Sequence, residues 1–416
     1  MAIAEECKGS AGARIMQRCD ALAELSESRD GLTRTFGTPM HARALELIGG
    51  WMREAGMSVR RDAAGNLVGR YEAAEAGSPC IMMGSHQDSV RDAGKYDGPL
   101  GIVTPIEAVT ALQRAGTRLP VAIEVIAFTD EEGTRFQTTL LGSRAVAGAL
   151  DPATLRTCDS DGVSVADAMR EFGLDPDRIH EAQRTPDEIL AFVETHIEQG
   201  PRLQDADRPL GVVTGIVGAT RLHVRLTGQA GHAGTVPMDR RRDAMCAAAE
   251  MILACESFAA GKQDMVATIG QVNVKPGAIN VIPGEVTFTV DLRAPVDTDR
   301  EHGERELMVQ FNGIASRRGM DVCTEILHSA AACASAPEIM DRLTAAIRSE
   351  GDEPLSLVSG AGHDAMAMAA LAPMGMLFVR CRDGISHNPA EEIRIEDADK
   401  AARALLAFLR SYSVNA

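Results

Sequence analysis

The segment Val121-Ala-Ile-Glu-Val-Ile-Ala-Phe128 is apolar at every position but one. A strand with one wet face would alternate; this one reads as buried on both faces. Strands of that kind belong to sheets covered by helices on each side. Cys80-Ile-Met-Met83 and Met374-Gly-Met-Leu-Phe-Val379 have the same texture. Amphipathic helices are expected over Ala13–Leu25, from Thr38 to about Gly56, over Gly98–Leu112 and over Ile395–Tyr412. Thr38 reads as an N-cap with Pro39 at the first helical position. The class expected is α/β.

Each buried run leads into a polar loop containing glycine, the place where open α/β sheets build their sites. After the first comes Gly84-Ser-His86-Gln-Asp88, and then Asp97-Gly98. One imidazole and two carboxylates suit a borderline divalent ion such as zinc or manganese. The Asp88 carboxylate is expected to hold the second ring N–H of His86. Gly94, Gly98 and Gly101 would let the loop bring Asp97 back. A surface turn with scattered polar residues is the plainer alternative.

The second run ends in Thr129-Asp-Glu131-Glu132-Gly133. Adjacent glutamates there fit a general base beside a metal ligand, although a solvated acidic turn would read the same. A strand over Phe192–Ile197 puts His196 among apolar neighbours, and Glu198-Gln199 follow. Leu355 to Asp364 reads as a strand and a glycine loop through Gly360, and Gly384–Pro389 carries His387. Asp151–Leu190 reads as helices joined by charged loops.

From Thr214 the texture changes. Thr220–Gly228, Val266–Val274 and Glu285–Arg293 alternate as half-buried antiparallel strands do. Helices are expected over Asp243–Cys255 and Arg300–Arg318, and a loop from Gly228 to Pro237 at the end of an edge-like strand. An α+β sandwich over 214–327 therefore interrupts a larger domain built from 1–213 and 328–416. At 416 residues the chain exceeds what one core usually takes.

The net charge of −17, from 42 basic and 59 acidic residues, argues against a nucleic-acid partner. No apolar run is long enough to cross a membrane. The nine cysteines form no CxxC pair and match no disulfide framework, which fits reduced thiols in the cytoplasm. Met1–Lys8 lacks the pattern of a secretory leader. No GxGxxG follows an early strand, so a dinucleotide site is not expected.

These residues carry a resemblance. Gly-Ser-His86-Gln-Asp-Ser, Asp97-Gly, Thr-Asp-Glu131-Glu132-Gly-Thr-Arg-Phe, His196-Ile-Glu-Gln-Gly-Pro, Gly-His232-Ala-Gly-Thr and Ser-His387-Asn-Pro-Ala-Glu occur in that order. Over nearly its whole length the chain resembles the hydantoinase/carbamoylase amidase branch of the M20 metallopeptidase-like family. The resemblance implies a mixed-sheet metallohydrolase domain interrupted by a lid and dimerisation domain. It implies two divalent ions (Zn, or Mn, Co or Ni), His86 and His196 holding one, Glu132 and His387 the other, and Asp97 bridging. Glu131 would be the general base, with Asp88 behind the ligands. His232 would polarise the scissile carbonyl from the partner subunit of a homodimer. Asn280 and Arg293 would grip a substrate carboxylate, with Gln199 and Gly360 near the substrate. His196 stands where peptidase-type relatives place a carboxylate, which speaks against a plain dipeptidase. The substrate implied is a ureido or carbamoyl compound bearing a carboxylate. N-carbamoyl-L-amino acids come first, with allantoate or β-ureidopropionate as the alternatives. A silent binding protein on the same scaffold would lack a ligand or the base; all are present.

Overall fold

The computed structural model describes residues 9–413, so the leader expectation at Met1–Lys8 falls outside the described residues. The chain divides into two compact units, Met1–Thr214 with Ser335–Ala416, and Gly215–Ala334. Six strands begin before the insert: β1 (Ser58–Arg61), β2 (Leu67–Tyr71), β3 (Cys80–His86), β4 (Ala122–Phe128), β5 (Ile189–Ile197) and β6 (Leu210–Ile216). The insert holds β7 (Gly218–Thr227), β8 (Gly231–His232), β9 (Val266–Thr268), β10 (Val272–Lys275), β11 (Val281–Ile282), β12 (Glu285–Ala294) and β13 (Asp321–Ala330). β14 (Cys333–Ala334) closes the inserted unit, and β15 (Leu355–Ser359) and β16 (Met374–Val379) come after it. The return crossing lies beyond residue 327 because β13 runs on to Ala330 and β14 then pairs with the end of β6.

The larger sheet has the order β1-β2-β4-β3-β5-β16-β6-β14, with β15 beside β6. Its centre, β4-β3-β5-β16, is parallel; the flanking pairs β1–β2, β2–β4, β16–β6 and β6–β14 are antiparallel. Every residue of β3, β4 and β16 is buried, as their unbroken apolar runs require. Helices Ala11–Ala23, Pro39–Glu54, Pro99–Arg114, Pro337–Ser349 and Ile395–Arg410 deliver Ile15, Ile48, Ile102, Leu343 and Phe408 to one core with Ile81, Val125 and Leu377. Each such side chain contributes about 1.5–3 kcal/mol by leaving water. The one charged residue of β4, Glu124, is paired with Arg70 at 3.0 Å and Arg184 at 2.7 Å. A carboxylate at that depth would be costly without partners.

Between Asp151 and Leu190 the expectation of several helices is corrected. The segment contains one α-helix, Val165–Glu171, and short 3₁₀ turns that start at Pro152, Pro176 and Pro186. Proline fixes the first turn but lacks the N–H that would continue a longer helix into it. β5 then begins at Ile189, three residues earlier than expected.

The inserted unit is a sheet of order β10-β12-β7-β13, with β9 beside β12. Leu222, Val224 and Leu226 of β7 and Val286, Phe288 and Val290 of β12 share a core with helices Ala244–Ala260 and Asp297–Arg317. The strand expected over Val266–Val274 is two, β9 and β10, interrupted at Ile269-Gly270-Gln271. The strand before the 228–237 loop is not at an edge either: β7 lies between β12 and β13. Alternation reports one buried face and says nothing about how many neighbours a strand has.

Candidate metal centre

Parallel pairing decides where the polar loops meet. β4, β3, β5 and β16 are consecutive in the sheet, so their C-terminal ends lie along one edge. His86 is the last residue of β3, His196 the last but one of β5, and Glu131-Glu132 and His387 follow β4 and β16. Gly98, at φ +81°, lets Asp97 return to this edge; a Cβ there would lie 2.5 Å from the His86 ring.

The Asp97 carboxylate stands between three imidazoles. Its Oδ1 is 3.4 Å from His86 Nε2 and 3.3 Å from His196 Nε2, and its Oδ2 is 3.3 Å from His387 Nε2. His387 Nε2 is also 3.4 Å from Glu132 Oε1. Each of the sets His86/Asp97/His196, Asp97/Glu132/His387 and His86/Glu131/Glu132 can bring its donor atoms within 4.8 Å of one another.

This donor set fits divalent ions. His86 Nδ1 lies 3.0 Å from the Asp88 carbonyl and His196 Nδ1 3.0 Å from the Ile197 carbonyl. Those contacts place the ring proton on Nδ1 and turn the Nε2 lone pair toward Asp97. The buried His196 Nε2 has no hydrogen-bond partner. A lone pair facing an anion calls for a cation between them. His387 is half-exposed, so solvent reaches this side of the cluster.

Electrostatics separate the surroundings of Glu131 from those of Asp97. Burial raises Asp97, but the three imidazoles that face it, His196, His387 and His86, outweigh that and hold the carboxyl well below the usual range. Burial pushes Glu131 well above its usual value; His86 opposes, and Glu132, Asp364 and Asp88 add to the rise. Hydrogen bonds to Asp97 and Glu132 lift His387 to about 10.

Asp88 does something other than expected. Its carboxylate is 3.9 Å from His86 Nδ1 and instead accepts the Glu131 N–H at 3.1 Å and the Glu132 N–H at 3.2 Å. It thus orients the glutamate pair, while its backbone carbonyl orients His86. Asp130 (φ +53°), Gln199 (φ +58°) and His387 (φ +54°) all adopt left-handed backbone at this site. Such conformations cost about 1–3 kcal/mol each and concentrate at functional sites.

The other expected residues are distributed as follows. Gln199 Nε2 donates to Asp97 Oδ2 at 2.8 Å, and its buried Oε1 has no partner. Gly360 lies in an exposed turn after β15, where an added Cβ would meet no atom within 4 Å. His232, Asn280 and Arg293 belong to the inserted unit. β8 and β11 bring the first two together, and the Ala233 N–H donates to the Asn280 carbonyl at 3.0 Å. Arg293 holds Asp291, its neighbour on the same face of β12, at 2.7 and 3.1 Å.

Sequence reasoning missed a buried layer behind His196. Glu194 accepts from Ser85 Oγ at 2.6 Å and from the Ala365 N–H at 2.9 Å. The His363 ring is 4.5 Å from that of His196, and His363 Nε2 is 2.8 Å from Ser359 Oγ. The available signal was the spacing of two between Glu194 and His196, which puts both on one face of β5.

Comparison with known proteins decides the family. Peptidase family M20/M25/M40 matches residues 82–411. The chain belongs to this family. It is 43% identical to an allantoate deiminase of Arabidopsis thaliana, covering 95% of this chain and 81% of that one. It is 42% identical to an N-carbamoyl-L-amino acid amidohydrolase of Geobacillus stearothermophilus, covering 95% and 97%. A solved amidase of the hydantoinase/carbamoylase family from Burkholderia multivorans superposes with a TM-score of 0.89 at 32% identity, covering 97% and 98%. Membership of the M20 family agrees with the cluster of potential metal ligands around Asp97. No helix among the described residues is long and apolar enough to cross a membrane.

Proposed function

We propose that this M20-family chain is a metal-dependent amidohydrolase that cleaves the ureido C–N bond of N-carbamoyl-L-amino acids. The observation that carries the reading is Glu131, a buried carboxyl of raised proton affinity, beside the imidazole and carboxylate cluster at the ends of four parallel strands. Two divalent ions (zinc, or manganese, cobalt or nickel) are assigned to it. His86 and His196 would hold one, Glu132 and His387 the other, and Asp97 would face both. When bound, such ions supply Lewis acidity and make water acidic enough to attack at neutral pH.

The chain's own groups supply the proton traffic. Glu131 takes a proton from the attacking water as oxygen bonds to the ureido carbon, and returns it to the leaving nitrogen as the C–N bond breaks. The amino acid departs, and the carbamic acid left behind falls apart to CO2 and ammonia. Asp88 aims Glu131 and Glu132 through their backbone N–H groups. Gln199, with its unpartnered Oε1, and Gly360 are assigned to the substrate side. His232 is assigned to the scissile carbonyl.

Asn280 and Arg293 are assigned to the substrate carboxylate. Asp291 already takes a two-point contact from Arg293 Nε and Nη2, which fixes the guanidinium plane, and a substrate carboxylate would have to share the fork with it or displace it. Arg293→Lys is therefore expected to raise KM for N-carbamoyl amino acids and leave a neutral amide analogue unaffected. Equal loss on both substrates overturns the clamp.

Allantoate is the second reading, favoured by the 43% identity to the Arabidopsis thaliana allantoate deiminase. β-Ureidopropionate is the third. Ammonia release from all three substrates, with each metal added, separates them. Stripping the metal with a chelator is expected to abolish turnover, and adding a divalent ion to restore it. Full activity in a sample free of metal by elemental analysis sinks the reading.

A homodimer joined through the inserted unit is also proposed, motivated by exposed Leu253, Val309, Ile326 and Leu327 on that unit. Light scattering that returns the mass of one chain overturns it. A cytoplasmic location is proposed from the absence of disulfides among the described cysteines. Recovery of the protein outside the cytosolic fraction would contradict that.

A further inference from the structure

Ser386-His387-Asn-Pro-Ala-Glu391 contains two side chains that the reaction above does not use. Glu391 is buried and reaches back to the Asp97 loop. Its Oε1 accepts the Tyr96 N–H at 2.7 Å and the Asp97 N–H at 3.1 Å. Its Oε2 lies 3.1 Å from Ser386 Oγ. The Ser386 hydroxyl in turn donates to Asp97 Oδ2 at 2.6 Å. Gln199 Nε2 closes the group, 2.8 Å from Asp97 Oδ2 and 3.2 Å from Ser386 Oγ.

Asp97 is thereby held at both ends, its backbone by Glu391 and its carboxylate by Ser386. The holding residues sit on the same short segment as His387, whose Nε2 faces Asp97 Oδ2. One carboxylate thus ties the loop of the central ligand to the loop of a peripheral one. The chain even clears space for it. A Cβ on Gly94 would lie 2.3 Å from the Glu391 side chain, so glycine is needed there for close approach.

We propose that Glu391, through Tyr96, Asp97 and Ser386, is a positioning residue that fixes Asp97 and His387 for metal binding. The proposal rests on the metal-dependent reading above. Residues that orient metal ligands change affinity by roughly 10–100-fold when removed. Glu391→Ala should lose metal affinity by about that factor. Glu391→Gln keeps an acceptor for the two N–H groups and gains a donor toward Ser386 Oγ, so it should recover most of the affinity. Ser386→Ala removes the hydroxyl from Asp97 Oδ2 and should weaken binding as well.

The test is titration of the metal-stripped full chain with Mn2+ and Zn2+ by calorimetry, together with melting at fixed metal concentration. Bound metal raises the melting temperature by an amount that grows with the logarithm of its affinity, so Glu391→Ala should show a smaller rise than wild type. A Glu391 that only stitches two loops would lower the melting temperature without metal and leave both metal affinity and the rise unchanged; that result overturns the proposal. If Glu391→Ala does not fold, Ser386→Ala and Gly94→Ala, which pushes the Glu391 carboxylate aside, carry the test. Wild-type affinity in both overturns it equally. A wild-type chain that binds none of Zn2+, Mn2+, Co2+ and Ni2+ refutes the metal-dependent reading, a different failure from that of Glu391 alone.

Discussion

Glu131→Gln is expected to turn over roughly 10²–10⁴-fold more slowly than wild type while keeping its full complement of metal. The substitution preserves shape and removes the carboxylate assigned to take a proton from water. Glu131 is buried, and burial with Glu132, Asp364 and Asp88 nearby raises its proton affinity against the pull of His86. A carboxyl of ordinary acidity would be a poor carrier near neutral pH, whereas a raised one can both accept and return a proton. Its backbone N–H is fixed by Asp88 at 3.1 Å, so the glutamine should occupy the same place. The measurement is kcat alongside metal content by elemental analysis. Near-normal turnover removes Glu131 from the proton path; lost metal would make it a ligand instead.

Asp97→Asn is expected to have the second large effect, on metal binding itself. Asp97 faces His86, His196 and His387 at 3.3–3.4 Å and is held ionised by them. An amide keeps the shape but presents no charge, and its NH2 end cannot serve as a ligand. The loss of affinity should exceed the roughly 10–100-fold that removing an outer-shell partner costs. Calorimetric titration of the stripped protein reads it directly. Wild-type affinity and stoichiometry in the variant would remove Asp97 from the centre. The wild-type titration also has a required pH trend. Hydrogen bonds to Asp97 and Glu132 raise His387 to about 10, so the stripped protein carries a proton there at pH 7. Binding must expel it, and affinity should rise with pH between about 6 and 8.

Much of this site is legible along the chain because its residues follow strands that advertise themselves. A strand buried on both faces needs an unbroken apolar run, and the run's end marks where chemistry can begin. His86, Glu131, Glu132 and His387 are found in that way, and His196 by being polar inside such a run. The resemblance then gives each a role. The interruption of one domain by another is equally visible, since alternating strands replace continuous ones near Thr214. Asp151–Leu190 is less legible, because three Pro-led turns stand where helices joined by charged loops are expected.

What the sequence by itself determined, then, is which segments are buried strands and which residues stand at their ends. Local hydrophobic period is enough for that. The tertiary structure decided which ends are neighbours: the order β4-β3-β5-β16 aligns four of them, and only hydrogen-bonded register between distant segments sets that order. It decided that the Asp88 carboxylate serves the backbone of Glu131 and Glu132 rather than the ring of His86. It decided that Arg293 lies against Asp291, and that β7 is an interior strand. And it brought Glu391 to the Tyr96 N–H across 295 residues of chain. Partners so far apart share no period and no local motif, so their contact exists only once the sheet has closed the distance.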